Sequence, residues 1–149
     1  MSSKSIELAD AIVSQLNQHP EGFILQFEAE RKALPLTTQE LETLSTLKVM
    51  VFTGSQKAER RTQRGFKKTY KPIVVLQRKL DGATEEVNLG LADQLVELSD
   101  QISERLEAEE LVNLHFIGFD EGQDRDEYNA ELMHAHGVFS VVRTFEYAN

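Results

Sequence analysis

The chain has 149 residues, 40% apolar and 28% charged, with a net charge of −9 and no cysteine. That balance predicts one globular domain spanning 1–149 with a core of its own. It excludes disulfides, thiolate metal sites and a cysteine nucleophile, and an acidic balance disfavours general binding of duplex DNA.

Leu8, Ala9, Ile12, Val13 and Leu16 form one helical stripe and predict a helix over 5–18, ended by His19-Pro20-Glu21-Gly22. Glu7 and Asp10 within this stretch do not fit a signal peptide. Nowhere does an apolar run approach the roughly 20 residues of a membrane span. Phe23, Leu25, Phe27 and Ala29 alternate with Ile24, Gln26, Glu28 and Glu30, the period of a strand with one wet face. Pro35 is expected to end that strand. Thr37 and Glu40 have capping-box spacing, opening a short helix through Leu44.

"LKVMVFTG" predicts a second strand closed by Gly54. "YKPIVVLQRKL" predicts a third, with Pro72 marking a strand start or a sheet edge and Asp81 and Gly82 the turn after it. Leu91, Leu95, Leu98, Ile102 and Leu106 keep one narrow helical face and predict a long helix over 87–109. "LVNLHFIGF" reads as a fourth strand and "VFSVVRTFEY" as a fifth, joined by a polar loop over about 120–137. Strands two and three, and strands four and five, are expected to pair as antiparallel hairpins. The expected fold class is α+β: a mostly antiparallel mixed sheet of about five strands with two amphipathic helices packed on one face.

Chemistry-bearing patterns are sparse. G-x-S-x-G, Walker and G-x-G-x-x-G sequences are absent. His115, His134 and His136 have conceivable metal spacing, but three unrelated histidines at a loop edge is the preferred reading. Asp124 and Asp126 resemble a calcium loop only superficially, since Tyr128 and Asn129 occupy positions that need a ligand and a glycine. The expectation is no catalytic residue, no cofactor and no metal.

One segment stands apart. "KAERRTQRGFKKTYK", residues 57–71, holds seven Lys/Arg against one acid, so it carries +6 and leaves −15 for the rest of the chain. Three readings compete for this basic arm, expected over about 54–70. Phosphate contacts with stacking on Phe66 and Tyr70 make a nucleic-acid site. A solvated, mobile hairpin loop needs no partner. A protein interface, with the arm of one subunit on the acidic surface of the next, suits head-to-tail packing. Arginine forks favour carboxylates. Glu97, Asp100, Glu104 and Glu107 on the long helix, and the acids over 120–127, are the expected receivers.

The layout resembles the tail-terminator (tail-completion, neck) proteins of long-tailed bacteriophages. The resemblance rests on "LADAIVSQLN", on "FEAERKALPLTTQELETLSTLKVMVF" with its Leu34-Pro35 junction, on "KKTYKPIVVLQRKL" after the basic arm, on "LADQLVELSDQISERL", and on the closing "FSVVRTFEY". It covers nearly the whole chain. It implies a non-enzymatic structural virion protein, a homo-oligomer expected to form a hexameric ring. Such a ring caps the tail tube, stops its polymerisation and joins the head-tail connector or adaptor proteins. DNA passes through the lumen without specific recognition, no membrane is involved, and the implied location is the virion neck, reached from the host cytoplasm during assembly. On that basis Lys57, Arg60, Arg61, Arg64, Lys67 and Lys68 are expected at a subunit or tail-tube interface. Another neck component, such as a head-completion protein, and a nucleic-acid-binding protein acting through the arm are the alternatives.

Overall fold

A computed structural model of the chain describes residues 3–18, 20–34, 36–62, 65–120 and 136–149, with backbone alone over 57–62 and 65–67. Helix α1 (Lys4–Gln18) buries Leu8, Ala9, Ile12 and Leu16, four positions of one stripe. Near its end the Asn17 amide Nδ2 donates to the Ala29 carbonyl at 3.0 Å, and its Oδ1 accepts from the Ala29 N–H at 2.8 Å. One side chain thereby satisfies both backbone groups of Ala29, as a neighbouring strand would.

Strand β1 is short, Ala29–Arg31, and runs parallel to β2 (Lys48–Thr62), with Ala29 opposite Val49. The strand expected over 23–30 therefore forms only at its end. Phe23, Leu25 and Phe27 instead pack half-buried against the main core, with the Phe23 and Phe27 rings 5.1 Å apart and the Arg105 guanidinium 4.0 Å from the Phe23 ring. The Ile24 N–H goes to the Gln101 side chain at 2.9 Å. Alternating burial requires an extended chain, and here a helix surface supplied the contacts that a sheet ladder was expected to make.

Helix α2 (Thr38–Glu42) opens on the expected capping box. The Thr37 hydroxyl accepts from the Glu40 N–H at 3.2 Å, and the Glu40 carboxylate accepts from the Thr37 N–H at 3.1 Å. Pro35 lies outside the described residues.

Strand β2 and strand β3 (Gly65–Lys79) form an antiparallel hairpin, from Lys48 opposite Gln77 to Thr62 opposite Gly65. Both expected antiparallel pairs are present, but β2 and β3 run well beyond the predicted strand ends at 54 and 70. The register shifts between Phe52 and Ser55, where Thr53 and Gly54 together face Pro72, and again between Arg60 and Thr62. Pro72 is thus neither at a strand start nor on an edge. It sits inside a strand paired on both sides, at a bulge, where a residue lacking an N–H leaves no donor unpaired.

Helix α3 (Glu85–Glu107) is capped by Thr84, whose hydroxyl accepts from the Val87 N–H at 3.2 Å. The strand expected from 111 begins only at β4 (His115–Asp120). Val112 and Asn113 take φ of 46° and 63°, and the backbones of Leu111 and Leu114 bond reciprocally across them, so 111–114 is a tight turn. In β4, Phe116 faces Tyr147 and Gly118 faces Glu146, which makes Ile117 an extra residue and sets the rings of Phe116 and Phe119 5.1 Å apart. Strand β5 (Val138–Ala148) pairs antiparallel with β3 and β4, giving a mixed five-stranded sheet of order β1-β2-β3-β5-β4. The fold is α+β.

Adjacent strand residues divide between two cores. Val49, Val51, Val74, Leu76, Phe145 and Tyr147 join the buried residues of α1 and α3. Met50, Val75, Val138 and Val142 join Leu36, Leu41 and Leu44 at α2. The unbroken apolar run 73–76 follows from this: the central strand is covered on both faces, so neither parity is free to be polar.

Candidate functional site: the basic hairpin

The basic segment is a continuation of the sheet rather than a loop. β1 reaches only as far as Val51 of β2, and β5 pairs with β3 no nearer the hairpin tip than Thr69. Beyond those points, Gln56–Arg60 and Thr62 of β2 pair with Tyr70–Phe66 and Gly65 of β3. Among the described residues no third strand joins 56–62 or 65–68, so the two strands form a ribbon with both edges open. At about 3.3 Å per residue, the seven residues 56–62 span roughly 20 Å.

Lys57, Arg60 and Arg61 lie on β2, and Lys67 and Lys68 on β3. Arg64 is outside the described residues, as are the side chains of Lys57, Arg60, Arg61 and Lys67. Lys68 is exposed, and its N–H donates to the Asn149 side chain at 3.2 Å. Gln56 accepts from the Ser5 hydroxyl at 3.0 Å, which ties the root of the ribbon to α1. Tyr70, buried in the main core, anchors the other strand. The root is set by Gly54, with φ of 65°, at the bulge that adds twist just before the ribbon leaves the sheet.

Lys71 is held within its own domain. Its Nζ is 3.0 Å from the Asp120 carboxylate and 3.9 Å from that of Glu146, in a partly buried position. It therefore serves the domain itself. The expected receivers divide in the same way. Asp100 is held by Arg143 of its own chain at 2.5 Å, Asp120 by Lys71, and the acids over 121–127 lie outside the described residues. Glu97 and Glu104 are exposed and have no cationic partner among the described residues. Sequence reasoning missed the pairings with Lys71 and Arg143 because both join residues more than 40 apart in the chain.

Among the described residues, the other features nominated from sequence are not brought together. His115 bonds Glu110 at 2.8 Å, His134 is outside the described residues, and no group of three or more metal-ligating side chains exists among those described. No described helix is long and apolar enough to cross a membrane. Two shallow grooves of about 320 and 270 Å³ flank the 45–46 loop; the larger is lined by Leu25, Leu47 and Leu91 with Arg78 and Lys79. No protein-family model matches the chain, and no curated protein matches it in sequence.

Proposed function

We propose that this chain is a structural subunit of a long-tailed bacteriophage neck, a tail terminator that assembles head-to-tail into a ring. The ring closes the end of the tail tube and meets the head-tail connector on its other face. The observation that supports this most is the basic ribbon on an acidic domain, which no third strand joins among the described residues. An isolated two-stranded hairpin is marginal in water, and its open edges are templates for pairing. A protein that keeps such a ribbon gains from a partner that covers it. The +6 of residues 57–71 against −15 elsewhere makes another copy of the same chain an electrostatically matched partner.

Ring closure would use one set of surfaces and leave two unlike faces, as a terminator needs. DNA then passes through the lumen without base readout. The site requires no catalytic residue, cofactor or metal for this role.

The test is to polymerise tail-tube protein with and without this chain and measure tube lengths by electron microscopy. A terminator shortens the tubes and appears as a ring at one end. Unchanged lengths and bare ends refute the reading. A ring found only on head connectors assigns the chain to head completion instead. Steeply salt-dependent binding to DNA, without ring formation, assigns the ribbon to nucleic acid.

A further inference from the structure

We infer that the outward stripe of α3 around Leu89, Asp93, Val96 and Glu97 receives the basic ribbon of a second copy of this chain, an inference that rests on the head-to-tail reading above. None of the first ten residues of α3 is fully buried, since its buried positions begin at Leu95. Leu89 is 62% exposed and Val96 41%. At 100° per residue, Glu86, Leu89, Asp93, Val96 and Glu97 fall within an arc of about 100°. The three acids are exposed and have no cationic partner among the described residues. Glu86 is in the first turn and suits the positive end of the helix dipole. Asp93 and Glu97 are too far along to gain from it, and Leu89 and Val96 gain nothing from water.

The ribbon matches this face in three respects. Six cations stand against Glu59 over 57–68, opposite in sign to the stripe. The ribbon spans roughly 20 Å and residues 86–97 about 16 Å of helix. Arginine and lysine stems cover apolar side chains while their heads reach carboxylates, as a row mixing leucine, valine and acids requires.

The sheet dictates that the ribbon comes from another copy. The ribbon leaves one end of β3, whereas Arg78, near the other end, donates to Gln94 of α3 at 2.9 Å. From Lys68 to Arg78 is about 33 Å along the strand. The carbonyl of Leu106 meets Tyr147, which pairs with Tyr70 beside the ribbon root. Helix α3 thus begins at the end of the sheet remote from the ribbon and runs towards it. Ribbon and receiving stripe lie at opposite ends of the subunit, as a head-to-tail contact needs.

Charge exchange tests this in solution by analytical ultracentrifugation, with circular dichroism to check folding. Asp93→Lys with Glu97→Lys, and separately Arg60→Glu with Arg61→Glu, are each expected to weaken self-association about ten-fold or more. All four together are expected to recover most of it, because each contact then pairs reversed with reversed charge. Leu89→Ser tests the apolar part and is expected to weaken association without changing its salt dependence. The inference is overturned if the α3 reversals leave association unchanged, if the combined variant is no better than either pair, or if the wild-type chain stays monomeric at its solubility limit. Loss of association by the ribbon variants alone removes the α3 stripe and leaves the terminator reading standing. Charge-exchange rescue in the combined variant, with a wild-type chain that does not cap tail tubes, removes the terminator reading and keeps this contact.

Discussion

A Cβ placed on Gly54 would lie 1.8 Å from the carbonyl oxygen of Lys71. Glycine is required there twice over, by that approach and by a φ of 65°, which side chains rarely adopt. Gly54→Ala is expected to destabilise the domain by about 2 kcal/mol or more. It is also expected to move the ribbon root, since the bulge sets the twist there. Urea unfolding measures the first effect and self-association the second. A wild-type midpoint would show that the bulge relaxes freely.

The Tyr147 hydroxyl donates to the Leu106 carbonyl at 3.3 Å, and burial, helped by the nearby Glu107 carboxylate, pushes the phenol far above its ordinary value of 10.0. The folded state therefore holds the protonated form more tightly than the unfolded chain does. The associated stability is fully present below the unfolded value and falls as pH rises past about 10. Phenolate absorbance is expected to show one tyrosine that ionises only as the chain unfolds in alkali. Tyr147→Phe should abolish that delayed component and cost about 1 kcal/mol at neutral pH, where the Leu106 carbonyl loses its donor.

The Thr37 N–H and hydroxyl hold the Glu40 carboxyl below its ordinary value. A lowered folded value gives stability that is present above the ordinary 4.5 and is lost as pH falls through the folded value. Glu40→Gln is expected to flatten the acid limb of the stability curve in that window. Thr37→Ala is expected to cost about 1 kcal/mol at neutral pH through loss of the N-cap. Thermal melts across a pH series read both.

Reversing Arg61 and Arg64 to glutamate is expected to leave the monomer folded, as read by circular dichroism. Association and capping of tail tubes are expected to drop sharply. If the yield of complete particles is unaffected, the interface role of the ribbon is wrong.

Much of this molecule is legible without coordinates. The stripe from Leu8 to Leu16, the capping box at Thr37 and Glu40, and the row from Leu95 to Leu106 are local patterns. Their hydrogen bonds and helical spacing close within a few residues, so the sequence alone specifies them. The same holds for the concentration of positive charge over 57–71, which needs only counting. What the sequence could not specify depended on remote partners. Phe23 to Phe27 alternates like a strand, yet Gln101 and Arg105, more than 70 residues away, take the contacts a ladder would have made. Pro72 looks like an edge marker until Gly54 supplies a bulge across from it. Lys71 resembles its basic neighbours until the chain returns Asp120 and Glu146 to its side. Only the tertiary structure decided that the basic segment is a two-stranded ribbon, with no third strand on it among the described residues, and that it leaves the sheet at the end opposite the start of α3. Strand pairing and ion pairing are set by which distant segments meet, and no local periodicity encodes that.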